Sequence, residues 1–226
     1  MINNKKIKVI FTSASDGNIA YHVTNDKIGV DYRREELASK YDFDITNLKY
    51  MDQIHSNIVK KVDNKNLYEK CDAIVTDQKD LPLMVMVADC IPIIFYDSKK
   101  GVAAAAHAGR EGTLNNISSN VIEMMVDQFR CKPKDIKVIL GPSIQKCCYE
   151  VSAKMASDIS NRYGQQFANG RYIDLQAINK EQLLEKKIDE NNIDISPICT
   201  KCGCEDYFSY RNEKNCGRFA AIVILK

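Results

Sequence analysis

The chain has 226 residues, 45% of them hydrophobic, and its 32 Lys and Arg nearly balance its 30 Asp and Glu. A chain of this size buries a core large enough to hold a shaped, water-excluded pocket. The balanced charge produces no strong overall field, so charge gives no reason to expect a nucleic-acid or membrane-surface partner.

Cysteine content and the absence of targeting signals predict a cytoplasmic protein. The nine Cys are an odd number for a disulfide framework. The basic N-terminal stretch contains an apolar run of about six residues, shorter than the ~7–15 of a secretory signal. No stretch approaches the ~18 apolar residues of a membrane span. In a reducing compartment the thiols stay available as ligands.

Eight apolar runs are predicted to be strands, and several are apolar on both faces, as strands buried between two layers are. In chain order they are Ile7–Thr12, Ile54–Val62, Ala73–Thr76, Leu83–Val87, Ile91–Tyr96, Val102–Ala106, Val138–Leu140 and Phe219–Leu225. Helical spacing predicts three helices: Leu114–Phe129 after Thr113 as N-cap, Val151–Tyr163 and Leu175–Ile188.

The order of these elements indicates the fold class. Strands outnumber helices and are partly consecutive, which favours an α+β fold with mixed β-sheets flanked by helices over a regular βαβ repeat. No repeat or Pro- and Ser-rich linker divides the chain, so residues 1–226 are expected to form a single layered domain.

Three candidate metal ligands lie where predicted strands begin or end. The chain has only three His, which are His22, His55 and His107. His55 lies at the start of one apolar strand and His107 follows the end of another. Cys90 follows a third, just before Pro92, which is expected to stop the strand from continuing regularly. Strand ends are where ligands and catalytic groups gather in layered α/β proteins.

Two His and one Cys, with a fourth position open to water, form a ligand set of catalytic zinc. Zinc lowers the pKa of a bound water from ~15.7 to about 7. The separations of His55, Cys90 and His107 along the chain match no compact zinc signature. Spacing alone therefore leaves open that all three are ordinary core residues.

Seven segments, in order over nearly the whole chain, resemble the YfiH/YlmD family. They are QIHS (53–56), CDAIVTD (71–77), VADCIPIIFYD (87–97), AAHAG (105–109), GPSIQKCCYEV (141–151), ICT (198–200) and FSYRNEKNCGRFAAIVIL (208–225). ADC followed by HAG and a late SYR–GR pair is not a generic pattern. The resemblance implies a YfiH-like α/β/β/α fold and a metal, zinc or alternatively copper, held by His55, Cys90 and His107.

The resemblance also implies a function, because this family, once labelled polyphenol oxidase or laccase-domain protein, was later described as purine nucleoside phosphorylases with adenosine deaminase activity. The expected partners are purine nucleosides (adenosine, inosine and, as a further candidate, methylthioadenosine) and inorganic phosphate. Phosphorolysis requires phosphate to be placed against the anomeric carbon of ribose. In deamination, activated water attacks carbon six of adenine while Asp89 or Glu111 moves protons.

Substrate contacts are predicted at Asn18, Arg110 and Arg211. Arg110 and Glu111 stand where the family usually has Trp and Arg, in HAGREGT. A cation beside a helix N-terminus suits phosphate, although Glu111 adds a negative charge. Asn18 either lines the pocket or serves a turn. Arg211, like Arg218 further along the chain, either binds an anion or pairs with acidic neighbours, and His22 is interpreted as a structural or surface residue.

Three alternatives remain at this point. The older family name implies a copper-dependent polyphenol oxidase, but such enzymes need more imidazoles than three His supply. A metal-free hydrolase would use Cys90 as nucleophile and His107 as base. A binding protein without activity would merely retain the site.

The remaining cysteines raise the question of a second metal site. Cys199, Cys202, Cys204 and Cys216 would offer four thiolates. Only Cys199 and the adjacent pair Cys147 and Cys148 fall in family-like segments, so the C-terminal thiols are interpreted as ordinary cysteines that bind no metal.

Overall fold

The structure, a computed structural model, describes residues 2–3, 6–65, 70–203 and 206–226. Its helices are α1 (Lys27–Lys40), α2 (Arg110–Leu114), α3 (Ile117–Phe129), α4 (Ala153–Tyr163) and α5 (Leu175–Glu185). Its strands are β1 (Ile2–Asn3), β2 (Ile7–Phe11), β3 (Lys49–Tyr50), β4 (Val59–Lys61), β5 (Ala73–Thr76), β6 (Leu83–Val87), β7 (Ile91–Asp97), β8 (Val102–Ala108), β9 (Lys137–Leu140), β10 (Ala168–Asn169), β11 (Tyr172–Ile173), β12 (Ile193–Ile195) and β13 (Phe219–Leu225).

The strands form two large sheets and one short hairpin. The five-stranded sheet has the order β1-β2-β13-β6-β3, and the six-stranded sheet has the order β12-β9-β7-β8-β5-β4. In the first sheet, β13 lies between β2 and β6 and is antiparallel to both. In the second, β7 and β8 are antiparallel neighbours, whereas β12 runs parallel to β9.

The two sheets pack face to face, and helices cover their outer faces. Val9 of β2 points into the core between the sheets, whereas the next residue, Ile10, points into the core beneath α1. Helices α3, α4 and α5 cover the outer face of the six-stranded sheet. Because alternate residues of a strand face opposite sides, strands buried on both sides are apolar throughout. The predicted α+β class and the α/β/β/α order of layers are confirmed.

The strand predicted over Ile54–Val62 is wrong in its first half. Only Val59–Lys61 is a strand, and His55 has a left-handed φ of 59°. The backbone N–H groups of Ile54, His55 and Ser56 donate to the carboxylate of Asp72 rather than to a neighbouring strand. A buried carboxylate therefore replaces sheet pairing here.

Pro92 lies inside β7, near the start of the strand predicted over Ile91–Tyr96, and the preceding strand β6 ends at Val87 as predicted. Strand β7 runs through it, and Pro92 pairs with His107. Strand β9 ends at Leu140, and beyond that end Gly141 donates to the Pro92 carbonyl at 2.9 Å. The missing N–H therefore costs no ladder hydrogen bond, and proline is tolerated.

The helix predicted over Leu114–Phe129 is divided. It begins as α2 at Arg110 and resumes as α3 after Asn116, which has a left-handed φ of 63°. Thr113 is therefore not the N-cap; it lies inside α2, where its buried hydroxyl accepts from Asn179 at 2.9 Å. Helix α1 was not predicted, because only four of its residues are buried and its apolar face is weak.

Among the residues that the structure describes, no helix is both long enough and apolar enough to cross a bilayer. That residues 1–226 form a single domain stays a prediction.

Candidate metal and substrate site

Two His and one Cys from three separate segments meet at one point. The candidate ligand atoms of His55, Cys90 and His107 all lie within 4.8 Å of one another. His107 lies near the end of β8, and Cys90 immediately precedes β7. Since β7 and β8 are antiparallel neighbours, the start of one lies beside the end of the other. His55 completes the group from the loop before β4, and its ring packs edge-on against that of His107 with centroids 4.8 Å apart.

The fully buried carboxylate of Asp72 holds both His in place. It accepts backbone N–H groups from Ile54, His55 and Ser56 at 3.3, 3.0 and 2.6 Å, and the Ser56 hydroxyl at 2.7 Å. His107 Nδ1 lies 2.8 Å from the same carboxylate. A carboxylate that accepts from one ring nitrogen fixes the tautomer and leaves the other nitrogen for a ligand. Asp72 thus orients the His107 ring and shapes the loop that carries His55.

No role was predicted for Asp72 from the sequence. The signal available was a carboxylate directly before a short apolar strand, inside the segment CDAIVTD. Burial by itself raises the pKa of the Asp72 carboxyl, but hydrogen bonds from His107 and Ser56 outweigh burial and hold that pKa below its usual value. The carboxylate therefore stays ionised as an acceptor.

Cys90 and His107 shift each other's pKa. Burial raises the pKa of a thiol and lowers that of an imidazole. Here the charge and hydrogen bond of His107, helped by His55, lower the pKa of the Cys90 thiol. Cys90 and Asp72 in turn raise the pKa of His107. The site therefore favours a thiolate, which is the form of Cys that binds metals and attacks electrophiles.

Gly109 leaves open the space in front of these three side chains. A Cβ at this position would lie 3.0 Å from Cys90 Sγ and 3.3 Å from His55 Cδ2. Its φ of −74° is open to any residue, so the backbone does not require glycine here. The absence of a side chain is thus explained by the space that it leaves beside the three donors.

Gly109→Ala is therefore expected to lower the metal affinity of the site while the fold is retained, because the added methyl group occupies the space beside Cys90. Titration with zinc against a chelating competitor measures the affinity, and circular dichroism checks the fold. Unchanged zinc affinity in a folded Gly109→Ala protein would contradict a metal-binding role for this space.

The three donors stand where two cavities meet. The histidine lobe, about 410 Å³, is lined by His22, Gln53, Met86, His107 and Arg218 among others. The arginine lobe, about 390 Å³, is lined by Gly109, Arg110, Glu111, Ile144, Tyr149 and Arg211 among others. Four residues line both lobes: His55, Ala88, Cys90 and Tyr210. A substrate in either lobe would contact the donor group.

The structure does not bring Asn18 to the lining of either lobe. Its side-chain oxygen accepts from the backbone N–H groups of Ala20 and Arg218, and its amide donates to the Ala20 carbonyl. These bonds join the N-terminal loop to the start of β13, so Asn18 serves a turn. His22, interpreted from the sequence as structural, instead lines the histidine lobe beside Arg218.

The other polar residues predicted at the site line the arginine lobe: Arg110, Arg211, Asp89 and Glu111. The two acids differ in how many of their oxygens accept hydrogen bonds. Arg110 pairs with the neighbouring Glu111 at 2.8 Å. Arg211 stacks over the Tyr149 ring at 5.0 Å. Both carboxylate oxygens of the buried Asp89 are engaged, by the Thr200 hydroxyl and the Arg211 N–H, each at 2.7 Å. The exposed Glu111 is thus the freer of the two acids.

Sequence comparison identifies the family. The model of a family described as multi-copper polyphenol oxidoreductase laccase matches residues 5–226. A purine nucleoside phosphorylase of Corynebacterium glutamicum is 34% identical over 98% of this chain and 96% of its own length. The chain belongs to the YfiH/YlmD family. The purine nucleoside phosphorylase YlmD of Bacillus subtilis is 27% identical, over 99% of this chain and 90% of its own.

Solved structures of the YfiH/YlmD family share the fold. The hypothetical protein YfiH of Bacillus licheniformis aligns with a TM-score of 0.89 and 26% identity, over 97% of this chain and 93% of its own. YlmD of Geobacillus stearothermophilus aligns with a TM-score of 0.86 and 27% identity, over 92% and 84% of the two chains. The resemblance predicted from the seven motifs is confirmed.

Proposed function

We propose that this YfiH/YlmD protein is a cytoplasmic, zinc-dependent purine nucleoside phosphorylase that also deaminates adenosine. The observation that carries the proposal is the meeting of His55, Cys90 and His107 between two cavities, one of which presents Arg110 and Arg211. Relatives named purine nucleoside phosphorylase, alignable over nearly the whole chain, support the substrate class.

The donor set fits zinc. Two imidazoles and one thiolate leave a fourth tetrahedral position open, and Gly109 keeps space beside them. The carboxylate on His107 Nδ1 is the usual outer partner of a metal-binding His. When bound, zinc supplies a Lewis acid and lowers the pKa of a coordinated water to about 7. Copper oxidation is disfavoured, because only His22 would remain for the several further imidazoles that multicopper sites need.

In phosphorolysis, the protein's own task is to place phosphate and nucleoside in line. Arg110 and Arg211 offer two cationic groups in the arginine lobe, and guanidinium groups bind phosphate oxygens through paired hydrogen bonds. A phosphate oxygen then bonds to the anomeric carbon as the bond from that carbon to the purine nitrogen breaks. Phosphate binding requires Arg110 to leave its pairing with Glu111.

In deamination, water replaces the amino group at carbon six of adenine. The attacking water loses a proton, and the leaving amine gains one. Glu111 is placed to carry that proton, since it lines the arginine lobe and is exposed, whereas both oxygens of Asp89 are already engaged. Asp89 instead fixes the backbone just before Cys90.

The direct test is a product assay on purified protein. Inosine with phosphate should yield hypoxanthine and ribose 1-phosphate. In the absence of phosphate, adenosine should yield inosine. Both activities should fall on treatment with a zinc chelator and return with added zinc. A protein that turns over neither nucleoside, with zinc bound and the fold intact, would exclude the proposed activity.

Arg110→Ala separates the two reactions. It is expected to raise the KM for phosphate by roughly 10–150-fold, equivalent to the about 1.5–3 kcal/mol of one charge-assisted contact. Deamination requires no phosphate, so its rate should change much less. Steady-state kinetics at varied phosphate measure both.

Arg162→Ala is the matched control, because this exposed Arg lies on α4 and lines neither lobe. Equal loss of both activities in Arg110→Ala would show that Arg110 positions the nucleoside instead. If neither activity changed in Arg110→Ala, Arg211 or Arg218 would be the next candidate to bind phosphate.

One observation favours a second candidate function, a metal-free thiol hydrolase. Cys90, His107 and Asp72 form a chain of nucleophile, base and orienting carboxylate, and the pKa of Cys90 is lowered. The thiol hydrolase mechanism does not use His55, whereas the zinc site requires it as a ligand. Full activity after chelation and in His55→Ala would favour the hydrolase.

A further inference from the structure

Four cysteines outside the pocket gather at a second point. The sulfur atoms of Cys147, Cys148, Cys199 and Cys202 all lie within 4.8 Å of one another, and those of Cys147 and Cys202 are 3.5 Å apart. From the sequence, Cys199 and Cys202 were considered together with Cys204 and Cys216, and these thiols were predicted to bind no metal. Cys216 is buried elsewhere in the fold and is not part of this group, and Cys204 lies outside the described residues.

Sheet topology brings the two cysteine pairs together. Strands β9 and β12 are parallel neighbours, so the loops that follow them leave the same edge of the sheet. The Gln145 side chain joins the loops, because it donates to the carbonyls of Ser196 and Ile198 at 3.0 and 3.2 Å. A bridge between Ser143 and Cys199 joins them again. The two loops that carry the four thiols are thus held together by hydrogen bonds that do not involve the thiols.

The segment Cys199–Gly203 has the local geometry of a metal-binding turn. The Gly203 N–H donates to the Cys199 carbonyl at 2.8 Å, which turns the chain back and brings Cys202 beside Cys199. A Cβ on Gly203 would lie 2.5 Å from that carbonyl oxygen, so the turn requires glycine. Backbone N–H groups of Gln145, Lys201 and Cys202 donate towards the Cys199 sulfur. Such donors stabilise a thiolate.

We propose that Cys147, Cys148, Cys199 and Cys202 bind a structural zinc ion. Four thiolates at about 2.3 Å from zinc in a tetrahedron lie about 3.8 Å from one another. The Cys147 and Cys202 sulfurs are 3.5 Å apart and no two sulfurs of the group are more than 4.8 Å apart, so small side-chain rotations suffice. The site has no fifth donor among the described residues and resembles a closed, four-cysteine structural site rather than an open catalytic one. This inference is independent of the proposed enzymatic function.

The charge around the four thiols also suits zinc. Zinc with four thiolates carries a net charge of about −2. Lys146 and Lys201 are exposed, and each is the direct neighbour of a cysteine of the group; Lys146 also pairs with Asp174 at 3.5 Å. Disulfide formation between Cys147 and Cys202 would require their sulfurs to approach to about 2 Å.

A zinc ion here would stabilise one wall of the pocket. Tyr149, which lines the arginine lobe, directly follows Cys148. Thr200, which directly follows Cys199, donates to Asp89 beside Cys90. The four-cysteine site would therefore connect the two loops that support the arginine lobe, without itself contacting the substrate.

The test counts zinc in protein purified under reducing conditions without added metal. In a Cys90→Ala background, which removes one pocket ligand, close to one zinc per chain should remain. Adding Cys147→Ser or Cys202→Ser should remove it. Cobalt exchanged into the Cys90→Ala protein should show intense thiolate-to-cobalt absorption, which each added Cys→Ser change abolishes or weakens. Chelation should also lower the Tm of Cys90→Ala but not of Cys90→Ala/Cys147→Ser/Cys202→Ser.

Cys131→Ser and Lys201→Ala are the controls. The first removes a buried thiol that belongs to neither cysteine group, and the second alters the same loop without removing a ligand. Both should keep the zinc. Three results would overturn the proposal: zinc content unaffected by Cys147→Ser and Cys202→Ser, bound iron instead of zinc, or a disulfide joining Cys147 to Cys202 in protein alkylated directly in the cells.

Discussion

His107→Ala and Cys90→Ala should each lose one zinc ion per chain and nearly all turnover of nucleosides. Each removes one of three donors that share an ion, so too few ligands remain. The loss of activity should exceed the roughly 100-fold upper range for changes to residues that only support ligands. Zinc content by mass spectrometry and kcat for inosine and adenosine are the measurements.

His22→Ala is the matched control for the histidine, since it removes the remaining His of the chain from the histidine lobe without removing a donor. It should keep its zinc. Cys90→Ser tests the thiolate in particular, because it preserves shape while replacing sulfur by a weaker zinc ligand. If Cys90→Ser retained full zinc and full activity, the assignment of Cys90 as a ligand would be wrong.

Asp72→Asn should weaken zinc binding about 10–100-fold, the usual effect of losing the carboxylate behind a metal-binding His. Asn places an NH2 group among donors that now all point at carboxylate oxygens. At least one buried hydrogen bond is then lost, which should lower the free energy of unfolding by about 1–3 kcal/mol. Zinc titration and urea denaturation measure the two effects separately.

Asp97→Asn tests whether replacing any buried carboxylate would weaken zinc binding, or only that of Asp72. Asp97 is also fully buried and ends β7, where it accepts the N–H groups of Lys99 and Lys100, but it lies outside both lobes. Its replacement should leave zinc affinity unchanged, and the Asn oxygen can still accept both N–H groups. Equal zinc affinity in Asp72→Asn and in the unmodified protein would mean that Asp72 only holds the loop.

Most of the long strands were predicted from local apolar pattern, whereas the three candidate metal ligands were predicted from the family resemblance. In an apolar run such as Leu83–Val87, alternate side chains of a strand can pack into the cores on both sides of a sheet. All five residues of this run are buried. His55, Cys90 and His107 were found through motifs, and the structure brings them together. The hydrophobic run around His55 was misinterpreted, because a distant carboxylate, that of Asp72, takes the backbone N–H groups that a sheet would use.

Contacts between distant segments could not be predicted from the sequence. The pairing of Cys147 and Cys148 with Cys199 and Cys202 depends on β9 and β12 being parallel neighbours, which no local pattern encodes. Asn18 was expected at the substrate, but its amide is used on Ala20 and Arg218, a contact across nearly the whole chain. The roles of these cysteines and of Asn18 thus depend on which distant segments pack beside them.

The position of β13 has a consequence for the order in which the protein assembles during synthesis. Strand β13 follows all the other described strands along the chain, yet it lies between β2 and β6 and bonds to both. Until residues 219–225 leave the ribosome, β2 and β6 each present an unpaired apolar edge, the kind that recruits other chains. Ribosomes stalled just before these residues should therefore carry an aggregation-prone nascent chain, and chaperone capture should peak at that length.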